Sequence, residues 1–209
     1  MAEDLDPRVE QILAEYDARS AAERSRHEAG WDADERRDQL LLRIGPETGR
    51  LVNILIKGAG ARNIVEIGTS YGYSTVWLAE AARTTGGRVV TLDLAQYKQD
   101  YARGMLERAG LAKFIDWRCG DALELLKGIH APIDFVLIDL WKELYLPCFE
   151  IVAPKLARGA LIVADNMLYP EYSRPDAAAY GKRVRAYPGM QSVMLQVGSG
   201  IEVSRYAEG

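Results

Sequence analysis

The sequence offers almost no cysteine or histidine: Cys119 and Cys148, His27 and His130. Two well-separated cysteines make no disulfide framework, and two histidines complete no zinc spacing. The thiols read as reduced and partly buried. Long apolar runs are missing as well, and nothing approaches the roughly 18 residues of a membrane span. The opening Met1-Ala2-Glu3-Asp4-Leu5-Asp6 is acidic and has no apolar segment, so it does not read as a signal peptide, and a cytoplasmic location is expected. There is no surplus of positive charge either. Lys and Arg number 26 against 30 Asp and Glu, a net charge of −4. With both signs interspersed, the basic footprint that nucleic acid requires is lacking. Repeats, low-complexity tracts and long Pro/Gly linkers are absent. A small, weakly charged substrate fits better than nucleic acid or a membrane, in a monomer or homodimer.

What is present is an alternation. The 209 residues, 48% of them apolar, suit one α/β domain with trimmings. Residues 1–45 read as an N-terminal helical extension or lid. In it Arg8–Ala18, Ala21–Ala29 and Asp34–Arg43 are charge-rich and read as short surface helices. Residues 46–209 form the main domain. A helix starts at Pro46 and stops at Gly58. Strands are expected at Asn63–Ile67, Arg88–Asp93, Phe114–Arg118, Ile133–Asp139 and Ala160–Ala164. Helices are expected at Ser74–Arg83, Gln96–Ala109, Ala122–Lys127 and Leu146–Leu156. The strands are short apolar runs without strict alternation, as in a parallel sheet covered on both faces. The end differs: Ser192–Val197, a Gly198-Ser199-Gly200 turn and Ile201–Tyr206 read as a hairpin, which makes one strand antiparallel. Before it, the tyrosine- and proline-bearing stretch Met167–Tyr187 is a long connection, a usual home for substrate contacts.

The segment Val65-Glu66-Ile67-Gly68-Thr69-Ser70-Tyr71-Gly72-Tyr73-Ser74 runs from a strand through a glycine loop into a helix. Glycine permits close backbone approach, and the helix start offers unpaired N–H groups. The spacing is not G-x-G-x-x-G, which disfavours a dinucleotide site. Asp93 ends the next strand, about twenty residues on, where a carboxylate accepts both hydroxyls of a ribose. Further along, Asp139 and the pair Asp165-Asn166 end two more parallel strands. Ligands collect beyond such strand ends. An all-oxygen set with two carboxylates suits Mg²⁺ or another divalent cation. Taken singly, these residues also read as a helix cap and an Asx turn.

Glu66-x-Gly68-x-x-x-Gly72 followed by Asp93 resembles the cofactor motif of class I S-adenosylmethionine methyltransferases, and so implies a Rossmann-like methyltransferase fold. Asp139-Leu140-Trp141-Lys142-Glu143-Leu144-Tyr145-Leu146-Pro147, Asp165-Asn166 with Pro170, and Gly200-Ile201-Glu202 are similar to stretches of catechol O-methyltransferases. Arg43-Ile44-Gly45-Pro46 and Gly49 resemble the segment that covers the cofactor there. The resemblance runs from about Leu40 to Tyr206. It implies cofactor contacts from Ile44, Glu66, Gly68, Tyr71, Ser74, Asp93, Asp121, Ala122, Asp139 and Trp141. It implies a metal site of Asp139, Asp165 and Asn166, with Trp141, Lys142, Asn166, Pro170 and Glu202 facing a small aromatic diol. Lys142 would take the hydroxyl proton, and Glu202 would fix the second hydroxyl. The structural alternatives are a surface lysine and a solvent-facing glutamate on an edge strand. The Trp141-Lys142 pair sets the chain apart from the branch acting on acyl-CoA esters.

Three departures bear on the substrate. Leu140 stands where the catechol enzymes carry a histidine. Leu40 stands where they carry a gatekeeping tryptophan, with Trp31 a few residues earlier. The loop Tyr169–Pro175 is unlike theirs. A bulkier or longer catechol, such as a plant-derived aromatic acid, fits these changes. The alternatives are methylation of another vicinal diol or hydroxy acid, or a non-catalytic S-adenosylmethionine-binding module. A nicotinamide oxidoreductase is disfavoured by the loop spacing.

Overall fold

The computed structural model describes residues 5–28, 39–130 and 132–207. Within them, α1 (Pro7–Glu28) and α2 (Pro46–Ala59) precede the alternation. It runs β1 (Asn63–Ile67), α3 (Tyr73–Thr85), β2 (Arg88–Asp93), α4 (Gln96–Arg108), β3 (Ile115–Cys119) and α5 (Ala122–Lys127). It continues with β4 (Ile133–Ile138), α6 (Tyr145–Val152), β5 (Leu156–Ala164) and α7 (Arg174–Arg185), and closes in the hairpin β6 (Met190–Leu195) and β7 (Ile201–Tyr206). Among the described residues the seven strands form one sheet in the order β3-β2-β1-β4-β5-β7-β6. All neighbours from β3 to β5 pair in parallel, and β7 runs antiparallel to both β5 and β6. The expected mainly parallel seven-stranded sheet with one antiparallel hairpin strand is therefore what forms.

The strand side chains alternate between two apolar layers, as the pleat requires. Phe135 and Leu137 of β4 join Val52, Val76, Leu78 and Leu106 of α2, α3 and α4 on one face. Val136 and Ile138 join Leu126, Phe149 and Val184 of α5, α6 and α7 on the other. After β1 the chain winds outward through β2 and β3, then returns to β4 on the opposite side of β1. That reversal makes the β1/β4 junction the switch point of the sheet, where the loops leaving the two strands part and open a crevice.

At this junction the backbones touch. The Asp139 amide donates to Ile67 O at 2.9 Å, and the Gly68 amide donates to Leu92 O at 2.9 Å, which carries the ladder past the strand ends. Gly68 has φ 105, and a Cβ there would lie 2.0 Å from the carbonyl oxygen of Asp139. Only glycine meets both conditions.

The N-terminal region departs from expectation. Instead of two short surface helices, α1 is continuous over 22 residues. Val9, Ile12, Leu13 and Tyr16 recur at helical spacing and are buried in the same cluster as α2 and α3. Tyr16 also donates to Tyr71 O at 2.5 Å, pinning the glycine loop from above. No breaker separates the two charge-rich stretches, and the apolar stripe was masked by the charge around it. Of the expected helix Asp34–Arg43, residues 34–38 lie outside the described residues, as does Trp31, and Leu41–Gly45 is irregular loop rather than helix, with Leu42 at φ 40. The helix expected to reach Leu156 ends at Val152, because Pro154 in the following turn cannot continue it, and β5 starts at Leu156 instead of Ala160. The connection Met167–Tyr187 contains α7, which Pro175 opens in its first turn.

Replacing Gly68 by alanine forces the loop off Asp139 and strains a left-handed backbone. We expect Gly68→Ala to lower unfolding free energy by about 2–4 kcal/mol, measured by urea denaturation. A loss below about 0.5 kcal/mol would show that the junction relaxes freely.

Candidate active site

Two groups of polar residues meet in the crevice. The first follows β1 and β2. Glu66 is fully buried inside β1. Its Oε2 accepts from Thr75 Oγ1 and Thr91 Oγ1, both at 2.6 Å. Its Oε1 has no hydrogen-bond partner among the described residues. A buried carboxylate oxygen without a donor is costly, and a cationic group such as an amine would satisfy it. Burial pushes the Glu66 carboxyl up to about 7, against the hydroxyls of Ser74, Thr75 and Thr91 and with help from the charge of Asp139. Asp93, at the end of β2, accepts from the amides of Ser70 at 2.6 Å and Ala95 at 2.8 Å. A carboxylate has about four acceptor positions, so room remains for ligand hydroxyls. Asp121 caps α5 through the Glu124 amide at 3.0 Å, with half-buried Ala122 next to it. Tyr71 is buried edge-on against Tyr97 and Tyr101, under the Arg19 guanidinium at 4.1 Å. Ile44 lies in the apolar cluster beside α2.

The second group follows β4 and β5. Lys142 is only 8% exposed, so it is no surface lysine. Its Nζ is surrounded by oxygen: Leu140 O at 3.3 Å, Asn166 Oδ1 at 3.3 Å, the Tyr145 hydroxyl, and Asp139 Oδ1 at 3.9 Å. Asp165 is buried beside them, with Oδ1 unpartnered among the described residues. Burial and the charge of Asp139 push the Asp165 carboxyl up to about 7. Asp139 is raised too, by desolvation, with Lys142 opposing the shift. One carboxylate and an amide oxygen thus approach the Lys142 nitrogen, and the Asp165 carboxylate beside them keeps one oxygen without a donor among the described residues. The donors are all hard oxygens, the kind that Mg²⁺ takes, so the residues present fit a divalent cation.

The structure brings together Asp139, Lys142, Asp165 and Asn166, as expected. The Glu202 carboxylate is bonded to other partners. β7 lies between β5 and β6, so Glu202 is not on an edge strand, and it is fully buried opposite Ala164. Its carboxylate accepts from Ser192 Oγ and from the Arg185 guanidinium. Trp141 is 51% exposed, and Pro170 follows exposed Tyr169. Leu94, Trp141, Tyr169 and Tyr172 are all exposed on loops leaving the C-terminal ends of β2, β4 and β5, an apolar rim of the kind that marks ligand sites. Leu140 packs on the layer of α6 and α7.

Sequence reasoning passed over a buried network. Gln99 Nε2 donates to Thr69 Oγ1 at 3.2 Å and to Arg118 O at 3.1 Å, and Thr69 Oγ1 donates to Thr91 Oγ1, whose own proton goes to Glu66. The network ties the glycine loop to the end of β3. Its one visible signal was Thr91, a polar residue inside an apolar strand.

A switch-point crevice with a glycine loop after β1, an acid after β2 and a seven-stranded sheet closed by one antiparallel strand defines the methyltransferase class. The chain belongs to the O-methyltransferase family, whose model matches residues 31–206. It is 33% identical over 171 residues to a catechol O-methyltransferase of Niastella koreensis, covering 79% of this chain and 73% of that protein. It is 28% identical over 186 residues to a caffeoyl-CoA O-methyltransferase of Arabidopsis thaliana, covering 79% and 71%. An O-methyltransferase from Bacillus cereus, solved in complex with SAH, superposes with a TM-score of 0.76 at 28% identity, covering 99% of this chain and 93% of that one. The protein is thus an S-adenosylmethionine-dependent O-methyltransferase, with likeness to both the catechol and the acyl-CoA-ester branches.

The raised Glu66 carboxyl has a signed consequence. Its folded value of about 7 lies above the ordinary 4.5. The folded protein therefore holds a proton that the unfolded chain releases, and stability falls as pH rises from about 4.5 to about 7. Glu66→Gln keeps an acceptor for Thr75 and Thr91 but cannot ionise. We expect its thermal unfolding to lose much less stability across that window than the wild type, by on the order of 3 kcal/mol. Parallel pH curves for the two proteins would refute this.

Proposed function

We propose that the protein methylates one hydroxyl of a catechol-like aromatic diol in a divalent-metal-dependent reaction, with Lys142 as general base. The carrying observation is the approach of Asp139 and Asn166 to Lys142 Nζ at the β4 and β5 ends, with buried Asp165 next in chain to Asn166 and the glycine loop against Asp139. Asp139, Asp165 and Asn166 would hold Mg²⁺, and Glu66, Gly68, Ser74 and Asp93 would hold S-adenosylmethionine, with Ile44, Tyr71, Asp121, Ala122 and Trp141 around it. When bound, the cofactor supplies an electrophilic sulfonium methyl, and the cation supplies Lewis-acid stabilisation of the deprotonated diol.

The chain's own residues do the rest. Lys142, buried and facing the ligand oxygens, would take the proton of the hydroxyl to be methylated in its neutral amine form, which burial and a divalent cation held by Asp139, Asp165 and Asn166 would favour. Its neighbour Trp141, half exposed on the same turn, would wall the aromatic substrate on one side. Pro170 and the tyrosines around it line the other. Glu202, already engaged with Ser192 and Arg185, sits behind Ala164 in this reading and does not fix the second hydroxyl. Holding the acceptor oxygen in line with the methyl group is the main contribution, since orientation alone yields roughly 7–11 kcal/mol.

The test is methyl transfer to a panel: simple catechol, a catechol carrying an aromatic acid side chain, and a catechol-bearing coenzyme A thioester. We expect activity on a free catechol, its loss on chelation and its return with Mg²⁺. Turnover that survives complete metal removal would overturn the metal site. Lys142→Ala should lower kcat by about 10²–10⁴ while SAH affinity, read by calorimetry, stays unchanged. Near-wild-type turnover would remove Lys142 as the base. Exclusive use of the thioester would move the assignment to the other branch of the family.

A further inference from the structure

Tyr145 occupies a structural position that the motif around it does not explain. It opens α6, is fully buried, and packs edge-on against Tyr180 with ring centroids 5.7 Å apart. Its hydroxyl accepts from Lys142 Nζ and donates to the main-chain oxygen of Asp165 at 3.0 Å. A phenol carries one proton. With that proton given to Asp165, Lys142 meets a lone pair. One hydroxyl thus joins the turn after β4 to the turn after β5.

The second of these turns is left-handed at its second residue. Asn166 has φ 52, a conformation that asparagine adopts more readily than other residues with a side chain. The carbonyl that Tyr145 binds belongs to the peptide leading into Asn166. Fixing that peptide fixes where Asn166 Oδ1 falls, 3.3 Å from Lys142 Nζ. Tyr180, by contrast, has a buried hydroxyl without a partner among the described residues, so its contribution is packing.

We propose that Tyr145 is a positioning residue for methyl transfer, whose hydroxyl sets Lys142 Nζ and the Asp165–Asn166 peptide at a fixed separation. The proposal rests on the reading of Lys142 as base and of Asp165 and Asn166 as metal ligands. Tyr145 acts through both and touches no reacting atom. A lysine has a long flexible stem, and without this anchor its nitrogen samples positions away from the acceptor hydroxyl. A displacement of about 1 Å is enough to cost on the order of 10²-fold in rate.

The test is a double-mutant cycle. Tyr145→Phe keeps the ring and its packing and removes only the hydroxyl. We expect it to lower kcat on catechol by roughly 10- to 100-fold in the wild-type background, and by less than about twofold in Lys142→Ala. Mg²⁺ titrated into the SAH-bound protein should bind about 3- to 10-fold more weakly, with SAH affinity unchanged. Tyr180→Phe, the packing control, should leave kcat and Mg²⁺ affinity as they are. An equal fall in both backgrounds, a comparable fall in Tyr180→Phe, or a Tyr145→Phe protein with unaltered kcat and Mg²⁺ affinity would each overturn the proposal. Lys142→Ala keeping wild-type turnover would overturn the base reading and the proposal with it. That result comes from a variant with Tyr145 intact, so the two failures are told apart.

Discussion

The backbone of Gly68 rests on the carbonyl of Asp139, and the active site follows from that contact. β1 and β4 are the only adjacent pair from which the chain winds in opposite directions, so their trailing loops diverge and leave a crevice. Any side chain at position 68 would wedge the two loops apart. With glycine, the loop after β1 and the strand end at Asp139 share van der Waals contact. In the proposed reading this would confine the methyl donor and the acceptor hydroxyl to one small volume. The charge of Asp139 is felt at Glu66 for the same reason.

That closeness has an electrostatic cost. Glu66, Asp139 and Asp165 crowd one poorly solvated crevice, and all three are pushed upward by burial. Lys142 is the one cation among the described residues placed against Asp139 and Asn166. Glu66 and Asp165 each keep one oxygen without a donor among the described residues. Buried carboxylates without a full set of donors are costly. In the proposed reading these two oxygens are where positive charge would arrive from outside, an ammonium at Glu66 and a divalent ion at Asp165.

Much of this was legible in the sequence because parallel strands announce themselves. Each is a short apolar run, and each functional acid stands one residue past or at its end: Asp93, Asp139 and Asp165. The periodicity therefore placed the site without knowledge of packing. Three things escaped. The apolar stripe Val9, Ile12, Leu13, Tyr16 was hidden by the charges around it, so α1 read as a solvated surface. Strand order is a property of the assembled sheet, and the chain end of β7 looked like a sheet edge, whereas β7 inserts between β5 and β6 and buries Glu202. Tyr145 lay inside a motif already quoted, but its two hydrogen bonds join residues twenty and three positions away, a link that no local pattern reveals.

The same geometry separates what chemistry is done from what molecule receives it. Asp139, Lys142, Asp165 and Asn166 are held by strand ends, by one another and by Tyr145, and in the proposed reading they would select two adjacent hydroxyls. Leu94, Trp141, Tyr169 and Tyr172 are held by loops and stand exposed. Apolar surface buried on binding is worth about 25 cal/mol per Å², so a substrate that reaches those rings gains affinity that a bare catechol does not. The Met167 and Leu168 amides bind Gly200 O at 2.9 Å and Ser199 O at 3.0 Å, which locks the base of this rim to the β6–β7 turn. Relatives that share the strand ends but differ in these loops can then share the reaction and differ in substrate.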